Sequence, residues 1–185
     1  MISKKRVALI TGAESGIGKS TSKIFLDNGY KVICTYLKNN NNKNTKYIEY
    51  HRIDITKNKD WENLALYIKK KFKKIDVLVN SAGVRLSGNL ETTSMSDWSY
   101  HLNNNVTGTF LACKYILPFL KKAKNSSIIN VASINSIRGV KNMLAYATSK
   151  SAIISFTASL ALDLTKNKIR VNAVAPGAVS YTHLR

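Results

Sequence analysis

Apolar and polar positions change their spacing in a regular succession along the chain. Val7-Ala8-Leu9-Ile10 is a short continuous apolar run, the pattern of a strand buried on both faces. A glycine-rich turn follows, and 17–28 then carries helical spacing that ends at Gly29. The segments 31–36, 47–53, 75–79, 127–131 and 169–175 repeat the strand pattern, with 47–53 the weakest of them. Between them, 61–72, 96–123 and 146–164 read as helices. Ser96 is the expected N-cap of the long middle helix and Pro118 its late kink. The asparagine–lysine stretch 39–46 is a polar loop, expected to be the most mobile part of the chain. Strict alternation of strand and helix predicts an α/β fold, a doubly wound parallel sheet with helices on both faces. With no internal repeat or interdomain linker, 1–179 is expected to form one domain.

Composition narrows the function classes. A chain of 185 residues with 44% hydrophobic content has enough length for one sizeable core. No apolar run approaches the roughly 20 residues of a membrane span, and the start lacks a signal-peptide h-region. A soluble cytoplasmic protein with no membrane partner is the expectation. Cys34 and Cys113 lie in apolar stretches without metal-ligand spacing, so buried free thiols are expected, with no disulfide and no metal site. The formal charge of +19 comes mostly from lysines in runs such as 69–71, 73–74 and 121–124. These fall at helix ends and the turns after them, where solvent takes the charged heads. No aromatics interleave with the basic runs as a nucleic-acid platform requires, so no nucleic-acid partner is expected. An acidic, phosphate-bearing ligand or carrier partner is compatible with the charge.

Two local patterns carry chemistry. Thr11-Gly12-Ala13-Glu14-Ser15-Gly16-Ile17-Gly18 sits directly between the first strand and the first helix. Gly12 permits the tight turn, Gly16 lets a pyrophosphate approach the backbone, and Gly18 allows close helix–sheet packing. The phosphate charge then faces a helix N-terminus. Tyr146 and Lys150 stand four apart and share a helix face. A cation beside the phenol favours the phenolate, drawing a pKa of about 10 toward neutrality. Such a pair suits proton transfer at a carbonyl or alcohol.

Further motifs follow in order. Asn80-Ser81-Ala82-Gly83 comes after the fourth strand, and Asn105-Val106-Thr107-Gly108 lies in the long helix. Ile129-Asn130-Val131-Ala132-Ser133 closes the fifth strand, and Arg170 to Gly177 forms the sixth strand and a Pro176-Gly177 turn. Together with Thr11 to Gly18 and Tyr146 to Lys150, these resemble the short-chain dehydrogenase/reductase family from about Lys5 to Gly177. The general appearance is closest to its 3-oxoacyl-carrier-protein reductases and related ketoreductases. Ser81 stands where the family usually has asparagine.

The resemblance implies a Rossmann-type NAD(P)-binding fold and a set of roles. Tyr146 would give a proton to the nascent alkoxide or take one from the alcohol. Lys150 would lower the tyrosine's pKa and bond the nicotinamide ribose. Ser133 would hold the substrate carbonyl, and the main chain of Asn105 would bind a water linking Lys150 to solvent. The hydride belongs to the cofactor. Taken singly, Ser133 is a strand-end hydroxyl bonded to backbone and Asn105 a helix-kink residue. Cofactor contacts are expected from Gly12, Ser15, Gly16, Ile17, Gly18, Tyr36, Lys38, Asp54, Ile55, Asn80, Ala82, Gly83, Pro176 and Gly177, together with Tyr146 and Lys150. For Asp54, contact with adenine and a plain loop or capping role stand level.

The end of the second strand bears on the cofactor. NAD users generally place an acidic residue there for the ribose 2′-hydroxyl. Thr35-Tyr36-Leu37-Lys38 offers no carboxylate and does offer a lysine, so NADP(H) is expected over NAD(H). Ser15, lacking a basic side chain, and Glu14 argue the other way. On the substrate side, Arg85, Leu86, Arg138 and Met143 should border the pocket without naming a compound. Lys124 and Lys166 fall where carrier-protein reductases dock an acidic partner, and a solvated-surface reading serves them equally well.

After Val179 the sequence leaves the family pattern. Tyr181 stands where a threonine usually bonds the nicotinamide amide, so 180–185 is expected to be a non-native tail on a chain lacking the family's C-terminal segment. Two functions result. One is a ketoreductase acting on a small or carrier-bound carbonyl substrate, in a family of homotetramers and dimers, an assembly in doubt for a shortened chain. The other is a non-catalytic dinucleotide-binding fragment without a substrate lid.

Overall fold

A computed structural model describes residues 6–38 and 43–177. The asparagines at 39–42 and the expected tail at 180–185 therefore lie outside the described residues. Six strands form one all-parallel sheet in the order β3-β2-β1-β4-β5-β6. They are β1 (Val7–Ile10), β2 (Lys31–Tyr36), β3 (Ile48–Arg52), β4 (Val77–Asn80), β5 (Ser127–Val131) and β6 (Arg170–Val174). The helices are α1 (Gly16–Asp27), α2 (Asn58–Lys71), α3 (Met95–His101), α4 (Gly108–Leu120) and α5 (Leu144–Asp163).

The continuous apolar runs explain the layering. Every residue of β1 is buried, and alternate side chains serve opposite faces. Val7 and Leu9 join Trp61, Leu64 and Ile68 of α2, Leu111 and Ile116 of α4, and Phe156 of α5. Ala8 and Ile10 pack the other way, with Phe25 and Leu26 of α1. Cys34 and Cys113 are free and buried, and burial pushes both thiols up to about 12.

The strands at 31–36 and 127–131 coincide with the sequence pattern. The fourth begins two residues late, at Val77, although the Asp76 backbone already bonds to Val7 and Ser127 on either side. Its carboxylate accepts the Val7 N–H at 2.8 Å and pairs with Lys74 at 2.7 Å. The basic runs are thus not wholly solvated: Lys71 likewise pairs with the buried Glu49 at 2.7 Å.

The segment 96–123 departs most from expectation. Ser94, not Ser96, is the cap, its extended backbone and Oγ accepting the Asp97 N–H at 3.0 Å. The helix then widens into a six-residue π segment, Leu102–Thr107, before continuing as α4 through Pro118. Apolar periodicity cannot signal this, since one inserted residue only shifts the phase of the pattern.

Trp61 links the core to the functional end of the sheet. It is fully buried, and its indole donates to the Ile55 carbonyl at 2.8 Å. Gly108 completes that arrangement from the other side, because a Cβ there would lie 2.7 Å from Ile55 Cδ1. Trp61→Ala is expected to lower stability by about 3–5 kcal/mol, checked by the shift in urea midpoint; a change within error would contradict the packing described.

Candidate active site

The carboxyl ends of β1 and β4 diverge at the point where the strand order reverses, and loops from both define a crevice there. Thr11 fixes its geometry. Its N–H donates to the Val79 carbonyl at 3.0 Å, and its hydroxyl accepts the N–H groups of Ser81 and Ala82, each at 3.0 Å. The glycine turn is thereby clasped to the loop after β4. Gly12 has φ +64°, and a Cβ on it would sit 2.7 Å from Ala82 Cα. A Cβ on Gly18 would run into the Gly12 carbonyl, so α1 could not start so close to the sheet. Ser15 caps α1 without a side-chain hydrogen bond, so its hydroxyl leaves the first-turn N–H groups unclaimed.

Two cavities meet in this crevice. One, of about 260 Å³, is bounded by Gly12, Glu14, Ser15, Gly16 and Ile17 of the turn, by Thr35, Tyr36 and Leu37 at the end of β2, and by Ile55, Ala82 and Gly83. The other, of about 530 Å³, is lined by Ser133, Tyr146, Lys150, Pro176 and Gly177, with Arg85, Arg138 and Met143 at its border. Ile17, Ser81, Gly83 and Val84 belong to both walls, so the two cavities adjoin.

Asn105 lies behind that cleft, almost fully buried in the π segment. Its Oδ1 accepts the Val84 N–H at 2.7 Å; its Nδ2 donates to the Val84 carbonyl at 3.0 Å and to Ser149 Oγ at 2.9 Å. Ser149 in turn donates to the Tyr146 carbonyl at 2.7 Å. The Asn105 carbonyl accepts the Thr109 hydroxyl at 2.8 Å. Lys150 is buried and donates from Nζ to the Val131 carbonyl at 2.7 Å. Burial pushes its ammonium down to about 8. Ser133 Oγ accepts the Asn135 N–H at 3.2 Å within a capping box closed by Ser136.

The sequence matches the short chain dehydrogenase family over residues 6–185. The chain belongs to that family. It is 36% identical to a dehydrogenase/reductase SDR family member 6 of Aquarana catesbeiana over 184 residues, covering 97% of this chain and 74% of the relative. It is 35% identical to the 3-oxoacyl-[acyl-carrier-protein] reductase FabG of Thermotoga maritima, covering 94% and 74%. Among solved structures, ElxO with NADP bound superposes with a TM-score of 0.89 at 34% identity, covering 95% of this chain and 75% of that one. A short chain dehydrogenase of Leptospira borgpetersenii with bound NAD+ gives 0.90 at 28% identity, covering 96% and 73%. The protein is an oxidoreductase with a Rossmann-type fold.

Within this dehydrogenase, not every nominated residue reaches the cleft wall. Asn80 is buried beneath it, donating from Nδ2 to Asn130 Oδ1 at 2.9 Å. Strand alternation turns its amide into the core. Asp54 spends Oδ1 on the backbone and hydroxyl of Thr56, at 2.9 and 2.7 Å, while its neighbour Ile55 faces the cleft. Lys38 is exposed and lines neither cavity. Gly18 acts through packing.

Conversely, the Thr11 hydroxyl, Ser149 and His101 were not singled out by sequence. His101 is buried: Leu86 N–H donates to Nε2 at 2.9 Å, so the ring proton sits on Nδ1 and goes to the Asp97 carbonyl at 2.7 Å. Its ring stands edge-on to Tyr146 with centroids 6.3 Å apart. Thr11 and Ser149 lie inside quoted motifs; His101, one turn before Asn105, had no signal but its position. No helix among the described residues is long and apolar enough to cross a membrane, and no metal-binding cluster occurs among them.

The depressed Lys150 pKa carries a stability signature. Below about 8 both folded and unfolded chains hold the proton, and between about 8 and the ordinary 10.5 only the unfolded chain does. Stability therefore rises with pH across that window. Relative to Lys150→Met, the wild type should gain stability as pH climbs through it, measured by denaturant unfolding; a constant difference would contradict the burial of the charge.

Proposed function

We propose that this dehydrogenase transfers a hydride between NAD(P)(H) and a ketone or secondary alcohol, with a 3-oxoacyl group, free or carrier-bound, or a related ketone as substrate class. One observation carries the proposal: Ser133, Tyr146 and Lys150 line a single cavity, and that cavity shares a wall with the one at the glycine turn. The cradle suits a dinucleotide, since Gly12 and Gly18 leave no room for a Cβ and the first-turn N–H groups of α1 are not capped by Ser15. Gly12, Ser15, Gly16, Ile17, Tyr36, Ile55, Ala82, Gly83, Pro176 and Gly177 would hold it. When bound, the nicotinamide supplies or accepts the hydride.

The chain's own residues manage the proton. In reduction, the Tyr146 hydroxyl gives its proton to the oxygen that was the carbonyl, and in oxidation the phenolate takes the proton of the alcohol. Lys150 lines the same cavity, where its ammonium would hold the nicotinamide ribose. A hydroxyl at Ser133 donates to the carbonyl oxygen where negative charge develops, at the cost of turning from its capping role. Asn105 positions the helix that bears Tyr146, and its carbonyl keeps a lone pair for a water on the path from Lys150 to solvent.

For the substrate, the FabG relative supports a 3-oxoacyl group, whereas the SDR family member 6 relative leaves other ketones open. Arg85 and Arg138, with no carboxylate among the described residues lining the same cavity, favour an acidic substrate or carrier. Phe110 of α4 and Leu162 of α5, 46% and 78% exposed, support assembly into a homo-oligomer. The lack of a carboxylate at the end of β2 favours NADP(H), and Glu14 on the same cavity wall argues the other way.

Tyr146→Phe should reduce ketone-dependent oxidation of the reduced dinucleotide by about 100-fold or more while leaving dinucleotide binding intact. Steady-state kinetics beside direct titration checks this. Unchanged turnover, or loss of binding, would contradict the role given to Tyr146.

A further inference from the structure

Among the residues lining the cavity between the glycine turn and the end of β2, one carries a charge, and it is the carboxylate of Glu14. In a chain with 29 Lys and Arg against 10 Asp and Glu, a purely negative wall goes against the composition. β2 runs out at Tyr36 and provides no acid of its own. Glu14 crosses to it from the turn, its Oε1 accepting the Leu37 N–H at 3.4 Å. Its Oε2 is buried and has no hydrogen-bond partner among the described residues. Thr35 Oγ1, on the same wall, is buried and unpartnered too.

A hydroxyl entering the cavity adds a donor to a carboxylate whose hydrogen bond from the Leu37 N–H is long at 3.4 Å. A second anion is disfavoured beside that carboxylate unless a cation intervenes. No Lys or Arg among the described residues lines this cavity. Lys38 is exposed, and Arg52 is spent from Nε on the Leu37 carbonyl at 3.1 Å; neither lines the cavity. Lys19 and Lys23 border a neighbouring hollow that Glu14, Ser15 and Gly16 also line, and neither lines this cavity. None of the four forms an ion pair with Glu14 among the described residues.

We propose that Glu14 selects the dinucleotide: its carboxylate accepts the 2′-hydroxyl of the adenosine ribose and rejects a 2′-phosphate, so that this dehydrogenase prefers NAD(H) to NADP(H). This reverses the preference inferred from the end of β2 alone. The ordinary acidic residue of that strand is replaced by one that reaches the same place from the turn. The proposal rests on the cleft being a dinucleotide site.

Isothermal titration of the purified chain with NADH and with NADPH tests both layers. The expected result is tighter binding of NADH by about tenfold or more, since a 2′-phosphate brings a like charge against the carboxylate. Glu14→Gln, and Glu14→Ser should the first fold poorly by thermal melting, should bring the two affinities together by strengthening NADPH. Arg52→Ala should leave the wild-type ratio as it is. Tighter binding of NADPH by the wild type, or a ratio unmoved by either Glu14 variant, overturns the role of Glu14 while the dinucleotide site stands. Binding of neither dinucleotide overturns the site itself and this proposal with it.

Discussion

The active end of the molecule depends on one buried amide. Asn105 uses both of its side-chain polar atoms inside the protein, on the backbone of Val84 and on Ser149. It therefore joins three segments distant in sequence: the loop after β4, the π segment and the helix α5. Hydrogen bonds of this kind are strong where water is excluded, and an unmatched partner there is expensive. Any displacement of α5 that moved Tyr146 and Lys150 away from the loop after β4 would leave several such groups unsatisfied at once.

A second polar layer lies below the first. Asn80 and Asn130 bond across neighbouring strands, and Asn130 continues to Thr157 of α5 at 2.9 Å. With Thr11 clasping the two loops above, the cleft rests on polar contacts inserted among apolar strands, although Asn80 Oδ1 has no partner among the described residues. Apolar residues tolerate sliding past one another, while a ladder of fixed donors and acceptors admits one register. That rigidity holds Tyr146 and Lys150 in place from below.

The sheet and its order of elements were legible in the sequence because buried parallel strands leave unmistakable apolar runs, and the glycine turn and the Tyr146–Lys150 spacing announce themselves locally. What stayed hidden depended on contacts between distant segments. The π segment leaves no mark in apolar periodicity. Asn80 looks like a cleft residue because its neighbours Ala82 and Gly83 are, yet strand alternation turns it inward. Glu14 was visible as an awkward charge in a phosphate-binding turn. Only the placement of Leu37 beside it shows that the charge completes the end of another strand.

The π segment has a consequence for how this chain tolerates insertions and deletions. A π turn takes more residues than an α turn to complete one rotation, so the extra residue is absorbed locally and the helix on either side keeps its phase. Deleting one residue between 102 and 107 would yield a regular helix with α3 and α4 still facing their present neighbours. What would go is the bulge itself, from which Asn105 reaches Val84 and Ser149 together. The segment thus holds one residue of slack in reserve for the amide network. Its loss would strike that network while sparing the packing of both helices.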